Sequence, residues 1–493
     1  MAYALDVKRL GLGIIAMLIT AALIWFGTGM HPFWPLMWFA PLPVLLFAAD
    51  ASWWGALLVG GLACALGNLN LWDYFHTTLG APLSITLRIY ITLGLMFGLG
   101  VLLYRALLRR KVYWSALLAF PAFWTAFEYL LNLTSPHGTA GSLAYSQLSF
   151  LPFLQLASLT GPWGMSFLLL LFSSALAIGI RLYHSDRHRA LNIFGISAGV
   201  IAAVLVFGVV RLMLPAPSQP VKVGLVASDA RDNGNVADAG APTADLFKAY
   251  APSVAALAAQ GADVVVLPEK LGVAVDPDTK AVDAELQSLA EETHVRIVAG
   301  LIRVVPPSAT NLVKLRYNEA RVYTPGAPLL SYDKQHMLPP YESNLTPGTS
   351  LTLMAAAGGA GTWGVEICKD MDFTQPSRQY GEAGVGLMLV PAWDFVDDYI
   401  EHGHIAIMRG VEGGFSVVRS AKRGSIYVSD NRGRILAEVK SDAAPFTTLL
   451  TTAPAVHDNT LFQLLGDWFA WVMLVIFAFT LVQLIRLWKS PQH

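Results

Sequence analysis

Apolar residues fill the first part of this chain and its last stretch in long unbroken runs, while the segment between them alternates short apolar and polar blocks. Runs long enough to cross a hydrocarbon core of about 30 Å lie near 10–29, 33–49, 52–71, 83–106, 113–132, 163–182, 192–213 and 463–486. They predict eight transmembrane helices, seven before the central segment and one after it. From about 218 to 455 the apolar runs shorten and become rich in valine. Stretches 221–227, 262–267, 295–301, 385–390 and 415–419 read as buried strands, and 244–259, 282–292 and 399–412 carry helical spacing. Strand and helix alternate as in an α/β sandwich. Pro252 is expected to kink or divide the first of these helices, and 228–243, rich in Asp, Asn, Gly and Ala, reads as a surface loop. The chain thus divides into 1–217 (transmembrane helices 1–7), 218–455 (a water-facing domain) and 456–493 (helix 8 and a tail).

Composition agrees: 55% of residues are hydrophobic and only 14% charged, outside the usual range of soluble domains. A net charge of -1 gives no electrostatic case for binding nucleic acid. Basic residues cluster at Lys8/Arg9, at Arg105/Arg109/Arg110/Lys111, at Arg181/Arg187/Arg189 and at Arg486/Lys489. By the positive-inside rule these mark the cytoplasmic side. Eight crossings then place both termini in the cytoplasm and 218–455 outside it. Glu128 and Arg88, near the outer ends of spans five and four, read equally as structural groups or as lipid-headgroup contacts.

The central segment carries the candidate chemistry. One of the two cysteines, Cys368, ends the apolar stretch Thr362-Trp-Gly-Val-Glu-Ile-Cys368; the other, Cys64, lies in a membrane run, and neither is expected to form a disulfide. A carboxylate, Glu269, ends Val264-Val-Val-Leu-Pro-Glu269, and Lys334 ends Ser331-Tyr-Asp-Lys334 ahead of a proline-rich loop. A cysteine alone is more often a small buried hydrophobe than a nucleophile. With a base and a cation beside it, the thiol, whose ordinary pKa is about 8.5, gains the means to attack an ester. Glu269 is the candidate proton acceptor, and Lys334, with the backbone N–H after Cys368, the candidate oxyanion stabiliser. Glu342 and Asp370 are candidate supporting carboxylates, each equally readable as a solvated loop acid. Lys369 adds a basic group next to Cys368 but points to the opposite face of an extended chain. His402-Gly-His404 lacks a third ligand, so no metal and no cofactor is expected.

Leu267-Pro-Glu269, Tyr332-Asp-Lys334 and Ile367-Cys368-Lys-Asp370, in that order, resemble the Glu-Lys-Cys triad of the nitrilase (carbon-nitrogen hydrolase) superfamily. With seven spans before such a domain and one after, with Leu143-Ala-Tyr-Ser-Gln147 and with Gly161-Pro-Trp-Gly-Met-Ser-Phe167, the chain resembles the apolipoprotein N-acyltransferase family along nearly its whole length. The resemblance implies a multi-domain fold, a polytopic α-helical membrane domain plus an α-β-β-α sandwich. It implies a bacterial inner-membrane enzyme with an extracytoplasmic catalytic domain. That enzyme passes an acyl chain from a phospholipid through a Cys368 thioester to the amine of a diacylglyceryl-cysteine lipoprotein. In the family an acid eight residues after the lysine assists catalysis and one two residues after the cysteine lies in the site, places that Glu342 and Asp370 match, and Trp393 and Tyr341 fall where substrate contacts are expected.

The chain departs from the family's pattern in three places. Lys369 stands where an aromatic residue usually follows the cysteine, Val226-Ala-Ser-Asp-Ala-Arg-Asp232 lacks a Gln-Gly-Asn-like stretch, and Pro391-Ala-Trp-Asp-Phe395 lacks the usual Gly-Ser run after it. A divergent paralogue with another amine acceptor, a membrane-tethered amidase in which water resolves the acyl-enzyme, and a non-enzymatic transporter or ligand-binding scaffold are the competing readings. Eight spans restrict face-to-face assembly of sandwiches, so a monomer is expected.

Overall fold

The computed structural model describes residues 2–215, 219–230, 236–277, 279–308, 312–356, 361–396, 398 and 401–489. The chain forms two compact units: Met1–Leu133, Gly141–Met213 and Leu465–His493 make the first, and Thr134–Ala140 with Leu214–Leu464 make the second.

Among the described residues, 7 helices of the first unit are long and apolar enough to cross a membrane: Lys8–Gly27, Trp53–Leu71, Leu83–Arg109, Tyr113–Thr134, Pro162–Leu182, Arg187–Met213 and Trp468–Lys489. The predicted second span differs from expectation. It is two short helices, Pro35–Phe39 and Leu42–Asp50, interrupted where Pro41 and Pro43 remove backbone donors. At about 1.5 Å per residue, 35–50 rises roughly 24 Å, less than a full hydrocarbon core. Its start meets the 143–150 segment: Trp34 stacks on Phe150 with centroids 4.0 Å apart, and Gln147 Nε2 donates to the Trp34 carbonyl at 3.0 Å. Its end meets the basic ends of other helices, through an Asp50–Arg181 ion pair at 2.7 Å and Arg105 Nε donating to the Ala51 carbonyl at 2.8 Å.

The second unit is built on two sheets. Strands β1 (Pro220–Ala227), β2 (Val264–Val266), β3 (Val273–Val275), β4 (Arg296–Val305), β5 (Leu315–Tyr323) and β6 (Leu330–Asp333) belong to the first. Strands β7 (Leu353–Ala355), β8 (Thr362–Val365), β9 (Val385–Trp393), β10 (Ser416–Lys422), β11 (Ser425–Ser429) and β12 (Ile435–Lys440) form the second, and β13 (Thr447–Pro454) returns to the first beside β1. Both sheets are parallel at the centre, β1-β2-β4 and β8-β9-β10, and antiparallel at the edges. Central strands buried on both faces explain the continuous valine-rich runs. Ser420 Oγ on β10 donates to the Val226 carbonyl on β1 at 3.0 Å, stitching sheet to sheet.

Helices Ala241–Ala259 and Lys280–Thr293 cover the outer face of the first sheet, where Phe247, Tyr250, Val254, Leu257 and Leu286 pack on Val226, Val265, Leu267 and Ile297. Ser377–Glu382 and Glu401–Gly413 pack on the second. The result is an α-β-β-α sandwich. Two local expectations fail. Pro252 does not divide its helix, because Tyr250, Val254 and Leu257 on both sides of it are held in one core. That helix also starts at Ala241, inside the predicted loop, of which 231–235 lie outside the described residues; 399 and 400, the predicted start of the last helix, lie outside them too.

Candidate active site

Three strand ends deliver the charged groups. Past β2 the chain keeps pairing, with the Leu267 N–H on the Val298 carbonyl at 2.8 Å, and the Glu269 N–H then reaches across to the Ala392 carbonyl on β9 at 3.2 Å. Gly300 lets this turn lie against β4, since a Cβ there would come within 2.6 Å of the Glu269 Cα. Lys334 follows β6 and donates its N–H to the Asn318 carbonyl on β5 at 2.8 Å. Cys368 follows β8 and opens a short 3₁₀ turn, Cys368–Asp372.

The ion cluster is almost wholly buried: Glu269, Lys334 and Glu342 are 1%, 2% and 1% exposed, so their charges must be matched by one another. Lys334 Nζ lies 2.9 Å from Glu269 Oε1 and 2.9 Å from Glu342 Oε2. Glu342 Oε1 takes Lys270 Nζ at 2.7 Å and Asn318 Nδ2 at 2.8 Å, and Oε2 also accepts the Leu338 N–H at 2.9 Å. Asn318 Nδ2 bridges onward to Glu269 Oε1. Glu269 Oε2 takes part in none of these bonds. Burial would raise the Glu342 carboxyl, but Lys334 and Lys270 overturn that and hold it well below the usual carboxylate range. Burial likewise opposes the Lys334 ammonium, and the charges of Glu269, Glu342, Cys368 and Asp370 outweigh it, so Lys334 stays protonated. The turn that Cys368 opens is tied to the loop after Lys334 through Asp370, which accepts the Gln335 and His336 N–H groups.

Cys368 is buried and sits at φ +43, in the left-handed region that side chains other than glycine rarely adopt. Such a conformation costs about 1–3 kcal/mol and persists only where its surroundings hold it. Asp370 does much of that holding. Its Oδ2 accepts Tyr332 Oη at 2.8 Å and the Ile367 N–H at 3.3 Å; its Oδ1 accepts the backbone N–H groups of Gln335 at 3.1 Å and His336 at 2.8 Å. One fully buried carboxylate thus fastens the lysine loop to the turn that Cys368 opens. Lys369 is turned to Asp372, with Nζ 2.8 Å from Oδ2. Trp393 meets Cys368 through its backbone, the Sγ lying 3.5 Å from the carbonyl oxygen. The Trp393 ring carries two ammonium groups, Lys422 at 3.7 Å and Lys270 at 4.8 Å from its centroid. Tyr341 is exposed and leans on Phe395, centroids 5.3 Å apart.

Sequence reasoning missed Asn318, Lys270 and Lys422. Asn318 sits mid-strand, and Lys270 and Lys422 are one position beyond or at the end of strand segments, where lysine is ordinarily a solvated charge. Arg419 forms a fork with Asp394, at 2.8 and 2.5 Å, beside Trp393, and Arg409 pairs with Glu412 at 3.0 Å. Glu366, two residues before Cys368, is buried so completely that its carboxyl is pushed well above the ordinary range, with the nearby Asp370 charge adding to the effect.

Comparison with known proteins bears on the chain as a whole. The family model for the apolipoprotein N-acyltransferase N-terminal domain matches residues 20–175, and that for carbon-nitrogen hydrolase matches residues 240–449. An apolipoprotein N-acyltransferase of Geobacter metallireducens is 27% identical over 81% of this chain and 82% of its own length. One of Shewanella oneidensis is 27% identical over 72% of this chain and 71% of its own. Among solved structures, a mutant of an amidase of the nitrilase superfamily from Nesterenkonia is 19% identical over 49% of this chain and 93% of that chain, with a TM-score of 0.39.

Proposed function

Because this chain belongs to the apolipoprotein N-acyltransferase family, we propose that it N-acylates lipoproteins in the bacterial inner membrane, with Cys368 as the acyl carrier. The observation that carries the reading is the buried Glu269–Lys334–Glu342 cluster, whose lysine loop is fastened through Asp370 to the turn opened by a cysteine at φ +43. In the first half-reaction the Cys368 sulfur attacks the ester carbonyl of a phospholipid and its proton passes to Glu269. Lys334 and the backbone N–H after Cys368 take the developing oxyanion charge. As the C–O bond breaks, Glu269 returns the proton to the lysophospholipid alcohol. In the second half-reaction the N-terminal amine of a diacylglyceryl-cysteine attacks the thioester, Glu269 takes the amine proton, the C–S bond breaks, an amide forms, and Glu269 returns the proton to the Cys368 sulfur. Glu342 keeps Lys334 charged and oriented, and Asp370 positions the turn. Both substrates are membrane-anchored, which raises their effective concentration at a site carried by a membrane protein.

The topology follows from charge. Basic residues flank both the first and the last membrane-length helix, which demands an even number of crossings. We assign the eighth to Pro35–Asp50, whose roughly 24 Å rise falls short of a full hydrocarbon core but whose one end lies by 147–150 and the other by the basic ends of Leu83–Arg109 and Pro162–Leu182. Both termini are then cytoplasmic and 214–464 faces the periplasm.

Incubating the purified protein with phospholipid and mapping adducts by mass spectrometry tests the chemistry. A thioester-linked acyl group on Cys368, absent in Cys368→Ala and discharged by a diacylglyceryl-cysteine peptide, is the expected result. Wild-type protein that stays unmodified in every lipid tried refutes the mechanism, and discharge by water alone replaces transfer with amidase-type hydrolysis.

A further inference from the structure

A short loop far from the catalytic residues in sequence grips the nucleophile turn. Thr134–Ala140 falls within the second unit, although the residues before and after it belong to the first. Thr139 is buried, and both its N–H and its hydroxyl donate to the Asp372 carbonyl, at 2.9 and 2.6 Å. Gly138 sits at φ +55, and a Cβ there would lie 2.6 Å from the same carbonyl oxygen and 2.9 Å from the Phe373 ring. Only glycine meets both demands at once.

What the loop holds is the end of the turn that Cys368 begins. The Asp372 side chain anchors Lys369 Nζ at 2.8 Å, next to Cys368. Phe373 stacks face to face on His336, centroids 3.7 Å apart and planes 13° from parallel. His336 in turn donates its N–H to Asp370 Oδ1 and stands two residues after Lys334. The loop therefore bears on both the nucleophile turn and the lysine loop, through Asp372 in one case and Phe373–His336 in the other. The left-handed Cys368 conformation needs such fixing from outside its own turn. Within the turn itself, Asp370 already spends its oxygens on Tyr332, Ile367, Gln335 and His336.

We propose that Gly138 and Thr139 are positioning residues of the active site, which set the attack geometry of Cys368 by pinning the Asp372 carbonyl. The inference rests on Cys368 being the acyl carrier. It adds a catalytic dependence on residues that carry no reactive group and stand over two hundred positions from the nucleophile, as the 233-residue separation of the Thr139–Asp372 bond records.

The test compares Thr139→Val, which keeps the shape and loses the hydroxyl donor, with Thr139→Ser, which keeps the donor, and with Gly138→Ala. Two rates are read on full-length protein in detergent: acylation of Cys368 by phospholipid across lipid concentrations, and alkylation of Cys368 by iodoacetamide, each localised by mass spectrometry. Thr139→Val is expected to slow acylation at saturating lipid roughly 10-fold, with the lipid concentration at half-saturation unchanged, and to change the alkylation rate as well. Thr139→Ser recovers most of the loss. Gly138→Ala slows acylation further, toward about 100-fold, the scale reached when a remote change misplaces a reacting group by an ångström. Equal rates in Thr139→Val and wild type overturn the inference. So does a Thr139→Ser variant as slow as Thr139→Val, or a loss matched wholly by a fall in folded fraction on thermal melting. If wild type forms no acyl adduct the proposed function fails instead, and the alkylation rates still decide the role of the loop.

Discussion

The two units bury carboxylates in opposite ways. In the first, Glu128 is buried 7% exposed among neutral donors, accepting Trp124 Nε1 at 2.9 Å, the Leu143 N–H at 2.8 Å and Ser142 Oγ at 3.0 Å. No ammonium is among these partners; dipoles alone hold it, and what it fixes is the entry to Leu143–Gln147. In the second, Glu269 and Glu342 share Lys334, and Lys270 and Asn318 complete the cluster. Dipoles satisfy a carboxylate in place and give it little reason to move a proton. Opposed full charges in a low-dielectric site leave one oxygen of Glu269 poised beside a cation that can take up oxyanion charge. Glu128 reads as an anchor for that reason, which resolves the even choice between structural and headgroup roles toward structure.

The comparison breaks most visibly if Lys334 is removed. Lys334→Met leaves Glu269 and Glu342 facing each other with only Lys270 between them and the solvent, and the expected cost is about 3–5 kcal/mol of stability, together with loss of acylation at Cys368. Thermal melting in detergent and adduct mapping read the two separately; a variant as stable as wild type removes the contrast. Glu128→Gln is the matching change in the first unit. An amide turns a donor toward groups that themselves donate, so a loss of about 1–3 kcal/mol is expected, with the Cys368 acylation rate of the folded protein kept.

The smallest effect concerns pH. Burial, and after it the Lys270 charge, push the Lys422 ammonium down to about 7. The unfolded chain keeps its lysines protonated up to about pH 10.4, so above pH 7 the unfolded state binds the extra proton and stability rises with pH. The penalty of burying this charge is thus fully present below pH 7 and fades as pH rises. Lys422→Met should flatten the difference: its melting temperature gains on wild type at about pH 6 and the gain shrinks toward about pH 9. A gain independent of pH assigns the effect to packing on Trp393 instead.

Much of this molecule was legible before any coordinates. Long apolar runs and valine-rich strands identify themselves because each depends on its local surroundings, a hydrocarbon slab or a sheet buried on both faces. Glu269, Lys334 and Cys368 could be picked out because each ends such a run. What stayed hidden is set by partners distant in sequence. Asn318 looks like any strand asparagine until Glu269 and Glu342 are seen on either side of it. Lys369, which alternation already sets on the opposite face from Cys368, pairs with Asp372, a partner that sequence spacing does not announce. Helical spacing in 33–49 says nothing of the interruption near Pro41, and the breaking power of Pro252 yields to the core packed around it. The ring of Trp393 between Lys270 and Lys422 likewise depends on partners far off in the chain.

The loop 134–140 also bears on how such enzymes can be altered by recombination. A sandwich moved as one continuous piece, 214–464, arrives without the strand of chain that holds its nucleophile turn. A chimera should work only when the donor's short inter-helical loop travels with the donor's catalytic segment, so inheritance of the site runs through two separated stretches of the gene.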